Sequence, residues 1–269
     1  RSFGVLVVLA AALSVLGCAG QETSVVPFSP VTFAQQLPPR PSVSVSEVQA
    51  MLEEADAAYL KRSEPGNVEL SIDILEGVLA AAPSHCEAMR NAARSYKWLA
   101  EFRAGAKDRL AYLKRAKDLA QRAVDLDAGN PNAHFILGAC ISSIARESGI
   151  LQSLFMVGRA RQALERAIQL DPNHAYAHHE LGVLYRTSPA APIGIGDLGR
   201  ALEEALAAVH LASNSCTCLL GLAEIHAARK EIARAQEVLN TILSIPGTAE
   251  ESVENERSKQ RARDLLSEL

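Results

Sequence analysis

ARQALERAIQLDP, residues 160–172, decides the fold. Ala160 and Ala167 lie seven apart, with Leu164 between them and Leu170 three residues on. Asp171-Pro172 then ends the run. On a helix of 3.6 residues per turn those positions share one face, and Pro cannot continue a helix interior. The pattern recurs. AKDLAQRAVDLDA fills residues 116–128 and ALEEALAAVHLAS fills residues 201–213. Self-similarity at a near-fixed interval is the sequence mark of a repeat architecture, so the pattern is read before any single residue.

Each such helix is preceded by another with a small residue at its centre. Leu137-Gly138 with Ile141 forms one set and Leu181-Gly182 with Tyr185 the next. Ala92-Ala93 with Tyr96 stands earlier, and Leu222-Ala223 with His226 later. A Gly or Ala in the middle of an apolar face is expected where a partner helix crosses too closely for a larger side chain. Equivalent second-helix positions are Val78, Ala123, Ala167, Ala208 and Ile242, at steps of 45, 44, 41 and 34 residues. The three longer units carry extended helices or inserts at 99–115, 146–158 and 186–199. After residue 50 no run alternates Val, Ile and Thr, so almost no sheet is expected. Ala and Leu are abundant and aromatics make up 4%, which suits closely packed helices.

The organisation outward from the repeats has four parts: 1–17, 18–45, 46–247 and 248–269. Residues 3–16 are apolar and uncharged, too short to span a bilayer, and read as the core of an export signal. The run ends VLGCAG at 15–20, which resembles the bacterial lipobox, with Leu16 where that motif usually has a small residue. The resemblance implies a signal peptide over 1–17 and lipidation of Cys18. It also implies anchoring in the periplasm at the inner face of the outer membrane, since no Asp follows Cys18. Residues 18–45 hold Pro27, Pro30, Pro38, Pro39 and Pro41 and read as a tether. The charged tail over 248–269 places Val253, Ala262, Leu265, Leu266 and Leu269 on a narrow stripe. It reads as a helix that shields the open end of the stack, with a disordered tail as the alternative.

The repeats resemble the tetratricopeptide (TPR) family over about residues 47–247. That implies an all-α, right-handed solenoid of about five helix pairs, with a C-terminal capping helix. Long units behind a lipobox are similar to the TPR lipoprotein, or T component, of TRAP-type periplasmic solute transporters. YRTSPAAPIGIGDLGRALEEAL at 185–206 is the closest local match. The resemblance implies a non-enzymatic scaffold that pairs with a periplasmic solute-binding protein, in a homotrimer with a pore through each subunit. Regulator-of-microtubule-dynamics proteins share the long TPR layout, and the lipobox argues against their eukaryotic setting. Two other readings stand beside the transporter one: a general envelope-assembly TPR lipoprotein, and a carrier of a small hydrophobic ligand through an apolar channel.

In TPR proteins the first helices line the concave face. Counting from each small packing residue puts Arg90, Arg94, Lys97 and Trp98 there, then Phe135 and Ser142, then Tyr176, His179 and Arg186, then Glu224. A Trp among several Arg is the composition that dominates binding hot spots. GILQSLFMVG at 149–158 offers Leu151, Leu154, Phe155 and Met156 as a pore or partner surface, or as packing against the repeats, the preferred reading.

Other constellations read as structural. Gly194, Gly196 and Gly199 spell a glycine-rich loop, but prolines rather than a strand precede it, so Asp197 is expected to cap the next helix. His174, His178 and His179 with Glu180 lack a carboxylate at matching helical spacing. His178 is expected in the core and no metal site is expected. Asn173 is expected to cap the helix after Pro172. Cys86, Cys140, Cys216 and Cys218 allow a disulfide that the sequence does not assign; Cys140 reads as a buried thiol. No cofactor is expected. A net charge of −4 argues against nucleic acid as partner.

Overall fold

The computed structural model describes residues 44–148, 150–246 and 252–269, all within one compact unit. The signal peptide, Cys18 and nearly all of the tether lie outside the described residues. Among the described residues eleven helices follow one another: α1 Val45–Leu60, α2 Asn67–Ala81, α3 Cys86–Phe102, α4 Ala106–Leu126, α5 Pro131–Glu147, α6 Ile150–Leu170, α7 Ala175–Thr187, α8 Leu198–Leu211, α9 Cys216–Ala228, α10 Ile232–Ser244 and α11 Ser252–Glu268. Consecutive helices pair as α1/α2 through α9/α10, giving five antiparallel hairpins that stack in order. Among the described residues the sole β pairing is an isolated bridge between Ala190 and Gly196. None of the described helices is long and apolar enough to cross a membrane.

Short-range chemistry sets the helix starts. Ser44 opens α1 with a capping box: its Oγ accepts from Glu47 N at 3.2 Å, while its own N–H donates to Glu47 Oε2 at 2.7 Å. Asn130 caps α5 ahead of Pro131, whose missing N–H costs nothing at a first-turn position. Asp197 caps α8, accepting from Gly199 N at 2.8 Å and Arg200 N at 3.0 Å. The cap of α7 is His174 instead of Asn173. Asp171 Oδ1 accepts from Asn173 N at 3.0 Å, so a turn uses up Asn173, and His174 Nδ1 takes the Ala177 N–H at 3.2 Å.

The repeat positions meet in the core. Val78, Ala123, Ala167, Ala208 and Ile242 are each 0% exposed. At Gly138 a Cβ would sit 2.7 Å from Leu164 Cγ and 3.1 Å from the Ala160 carbonyl, so α5 and α6 cross there at a distance only Gly permits. One continuous core runs from Val48 in α1 to Ile225 in α9. The first two expected inserts are lengthened helices: α4 and α6 are 21 residues each, against 14 for α8. The third is a loop between α7 and α8, with a cis Ala191–Pro192 bond.

Candidate partner-binding groove

The first helices of the pairs (α1, α3, α5, α7 and α9) form the inner wall of the stack, and two hollows follow one another along it. One, of about 370 Å³, lies between α1, α3, α5 and α7. The other, of about 500 Å³, lies between α5, α7 and α9. They share Glu101, Phe102, His179, Glu180, Thr217 and Glu254, and so make one groove.

Arg94, Lys97, Trp98, Phe135, Tyr176 and His179 line the first hollow. His179, Arg186 and Glu224 line the second. Arg90 lines neither: it pairs with Glu87 within α3 at 3.3 Å. The insert residues are sorted by the turn of α6. Val157 is buried and Met156 packs against the core, Leu154 is half-buried, and Phe155 is 83% exposed. The Leu151 side chain lies outside the described residues. Ser142, which counting put on the concave face, is buried.

The groove floor is charged but internally paired. Arg94 reaches Asp56 at 2.6 Å and lies 4.0 Å over the Tyr59 ring. Lys97 bonds Glu101 at 2.8 Å and faces Glu180 at 3.8 Å, and Arg186 pairs with Glu224 at 2.6 Å. Burial alone would push the Lys97 ammonium down; the Glu101 and Glu180 carboxylates reverse this and hold it above its ordinary value. Glu101 is the mirror case: burial raises it, Lys97, with Arg146 and the Ser143 hydroxyl, more than offsets that, and the net shift is downward. The pair is therefore charged in the fold.

The three histidines diverge. His174 caps α7 and contacts Asn132, His178 pairs with Glu204 at 2.6 Å, and His179 faces Gly221. Among the described residues no group of three His, Cys, Asp or Glu side chains is placed to hold a metal ion. Cys140 is buried among apolar side chains, and burial pushes its thiol up to about 12. Cys86 hydrogen-bonds the Ala123 carbonyl at 3.5 Å.

The least foreseen contributor is α11. Its C-terminal half closes the stack as expected, with Ala262 and Leu265 covering Cys216, Leu219, Leu239 and Ile242. Its N-terminal half does something else. It lies over the groove, Val253 packing beside Trp98 and Val68 of the first two hairpins. Glu254 Oε1 accepts from Trp98 Nε1 at 2.7 Å and Arg62 Nε at 2.6 Å. Trp98 is consequently 5% exposed. Arg62, Phe102 and Glu254 were not singled out as groove residues, because the Arg62–Glu254 contact joins positions 192 residues apart and leaves no local pattern, whereas Glu101 stands at i+4 from Lys97, a spacing the sequence did offer.

The family model for regulator of microtubule dynamics protein 1-3 matches residues 51–188, just over half of the chain. The chain belongs to that family. The match runs from α1 to the end of α7, so it holds most of the first hollow, while α8 to α11 lie beyond it. The fold of this family member is also that of solved TPR proteins. A thermophilic TPR protein of Thermus thermophilus superposes with a TM-score of 0.60 at 16% identity, covering 82% of this chain and 97% of its own. PilF of Pseudomonas aeruginosa superposes at 0.54 with 17% identity, covering 82% and 90%. At such identities the likeness shows the fold alone: an all-α, TPR-like right-handed solenoid. No curated protein matches the chain.

Proposed function

We propose that this regulator-family TPR chain is a lipid-anchored scaffold of the bacterial envelope whose concave groove takes a segment of a partner protein. One observation carries the reading: a helix, α11, already lies along the rim of the groove, through an apolar contact at Val253 and charged contacts at Glu254. A surface that accommodates one helix in cis has the shape and polarity to accommodate one in trans. The lipobox-like run at 15–20 supports the anchor at Cys18, and the stretch 185–206 supports the solute-binding component of a TRAP-type transporter as partner.

The groove is tested with a photo-crosslinking residue placed at Tyr176, inside it, or at Leu206, exposed on the outer helix α8. A discrete adduct from position 176 in intact cells, identified by mass spectrometry as a periplasmic binding protein, is the expected result. Adducts arising only from position 206 would move the interface to the outer face. For the anchor, Cys18→Ala is expected to shift the protein from the membrane pellet to the supernatant while the circular dichroism spectrum stays helical. Unchanged pelleting after detergent-free washing would remove the lipid from the account.

A further inference from the structure

The contacts of α11 divide sharply along its length. Ala262 and Leu265 are sunk in an apolar cluster of α9 and α10. The groove-facing side of the N-terminal half is polar. Glu254 bonds Arg62 and Trp98, and Arg257 Nη1 donates to the Glu101 carbonyl at 2.9 Å with its guanidinium 5.0 Å over the Phe102 ring. Arg261 stands 3.5 Å from Glu224. Asn255 and Ser258 on the same half are each 5% exposed. Residues 254, 257 and 261 fall on one helical face. An interface of this polarity resembles reversible interfaces more than a domain core. It is also imperfect: Glu254 Oε2 is buried without a hydrogen-bond partner, a penalty that an exposed carboxylate does not carry.

Resting on the proposed groove function, we infer that Arg62 and the Trp98 indole N–H form a carboxylate-receiving site that Glu254 fills in cis. The partner is an acidic helical segment that presents a Glu or Asp next to an apolar residue, so that it replaces the Glu254 and Val253 pair. Arg62 and Glu254 are 11% and 15% exposed at their side chains, so the bond is shielded and specific for a negative charge. The C-terminal half stays seated as the cap while the N-terminal half gives way. α11 lies outside the family-matched residues, so this closure belongs to the part of the chain that the family model does not cover.

Trp98 is the single tryptophan of the chain, so its emission reads the latch directly. The experiment uses the full chain as wild type, Glu254→Gln and Arg62→Gln, with a synthetic peptide of residues 252–269 as probe. Both substitutions are expected to red-shift Trp98 emission and to speed amide exchange at least tenfold in 252–261, leaving 262–269 protected. The peptide is expected to bind Glu254→Gln at least tenfold more tightly than wild type. It should not bind Arg62→Gln, which opens the latch but lacks the receptor, and the peptide carrying Glu254→Gln should bind none of the three. Unchanged emission and exchange in both variants would make α11 a fixed cap and overturn the inference. So would equal binding to all three proteins, absence of binding to the opened Glu254→Gln chain, or a dimer formed by exchange of α11 between copies. The carboxylate site is measured here with a peptide alone. Failure of the crosslinking at position 176 would therefore count against a protein partner without touching this result.

Discussion

His178 and His179 are neighbours with opposite electrostatics, and the difference follows from what each touches. The hydrogen bond between His178 Nδ1 and the Glu204 carboxylate, at 2.6 Å, holds that imidazole above its ordinary value against a smaller effect of burial, with the Pro172 carbonyl helping at Nε2. His179 is pushed below its ordinary value chiefly by burial. For a group whose folded pKa is raised, the stabilisation is complete below the unfolded value, about 6.5, and disappears as pH rises through the folded one. Glu204→Gln should therefore lower stability at about pH 5.5 by roughly 1 kcal/mol, and by much less at about pH 8.5. His179 acts in the other direction: its neutral ring favours the fold above about 6.5, and that contribution is lost as pH falls. Urea unfolding of wild type and Glu204→Gln at both pH values isolates the first effect, since His179 is common to both chains. An equal gap at the two pH values would mean that the pair is not charged.

At the scale of the helix, α6 shows what a sequence reveals and what it leaves open. The apolar run 154–157 reads as one patch, but a helix advances 100° per residue and sends its members to different sides. Phe155 faces solvent while Val157 and, further on, Leu164 face the core. Leu164→Ala is expected to cost about 2–5 kcal/mol, the range for a fully buried leucine, and Phe155→Ser less than about 0.5 kcal/mol. Denaturant midpoints check both; a large loss from Phe155→Ser would show that the exposed ring is covered by something in solution. The second helices were legible because their small residues recur on one face, and all five marker positions are fully buried. Cap positions were legible where the side chain is an ordinary capper, as with Asp197, and missed at His174, where imidazole Nδ1 does that work. Aligning LDAGNP at 126–131 with LDPNHA at 170–175 sets His174 opposite Asn130, and that alignment was the available signal. The charged groove residues Arg94, Lys97 and Arg186 were found by counting turns. Of their partners, Glu224 came from the same count and Glu101 stands at i+4 from Lys97 within α3, a local spacing that was passed over; Asp56 was not legible, because ion pairing across helices follows from packing angles that no local spacing encodes.

For the molecule as a whole, the stacking order follows from the repeats, whereas the closure by α11 does not. A solenoid whose units touch only their neighbours unfolds approximately as a one-dimensional chain of coupled units, and its ends fray first. Here α11, a 17-residue helix about 25 Å long, joins α9 and α10 to Arg62 and Trp98 near the other end. Bridging the ends makes fraying of the first hairpin expensive, because it must break the Glu254 contacts and expose Val253 together with Trp98. The thermal transition followed by Trp98 fluorescence should therefore coincide, within about 2 °C, with the one followed by far-ultraviolet circular dichroism in the wild-type chain. In Arg62→Gln the tie is cut while the five hairpins keep their cores. The fluorescence midpoint should then fall about 3–6 °C below the helical one, as a loss of about 1–2 kcal/mol confined to one end implies. Coincident transitions in both chains would show that the hairpin core alone makes the stack cooperative and that the α11 bridge adds nothing to it; separated transitions in the wild type would show that α11 does not hold the two ends together in solution.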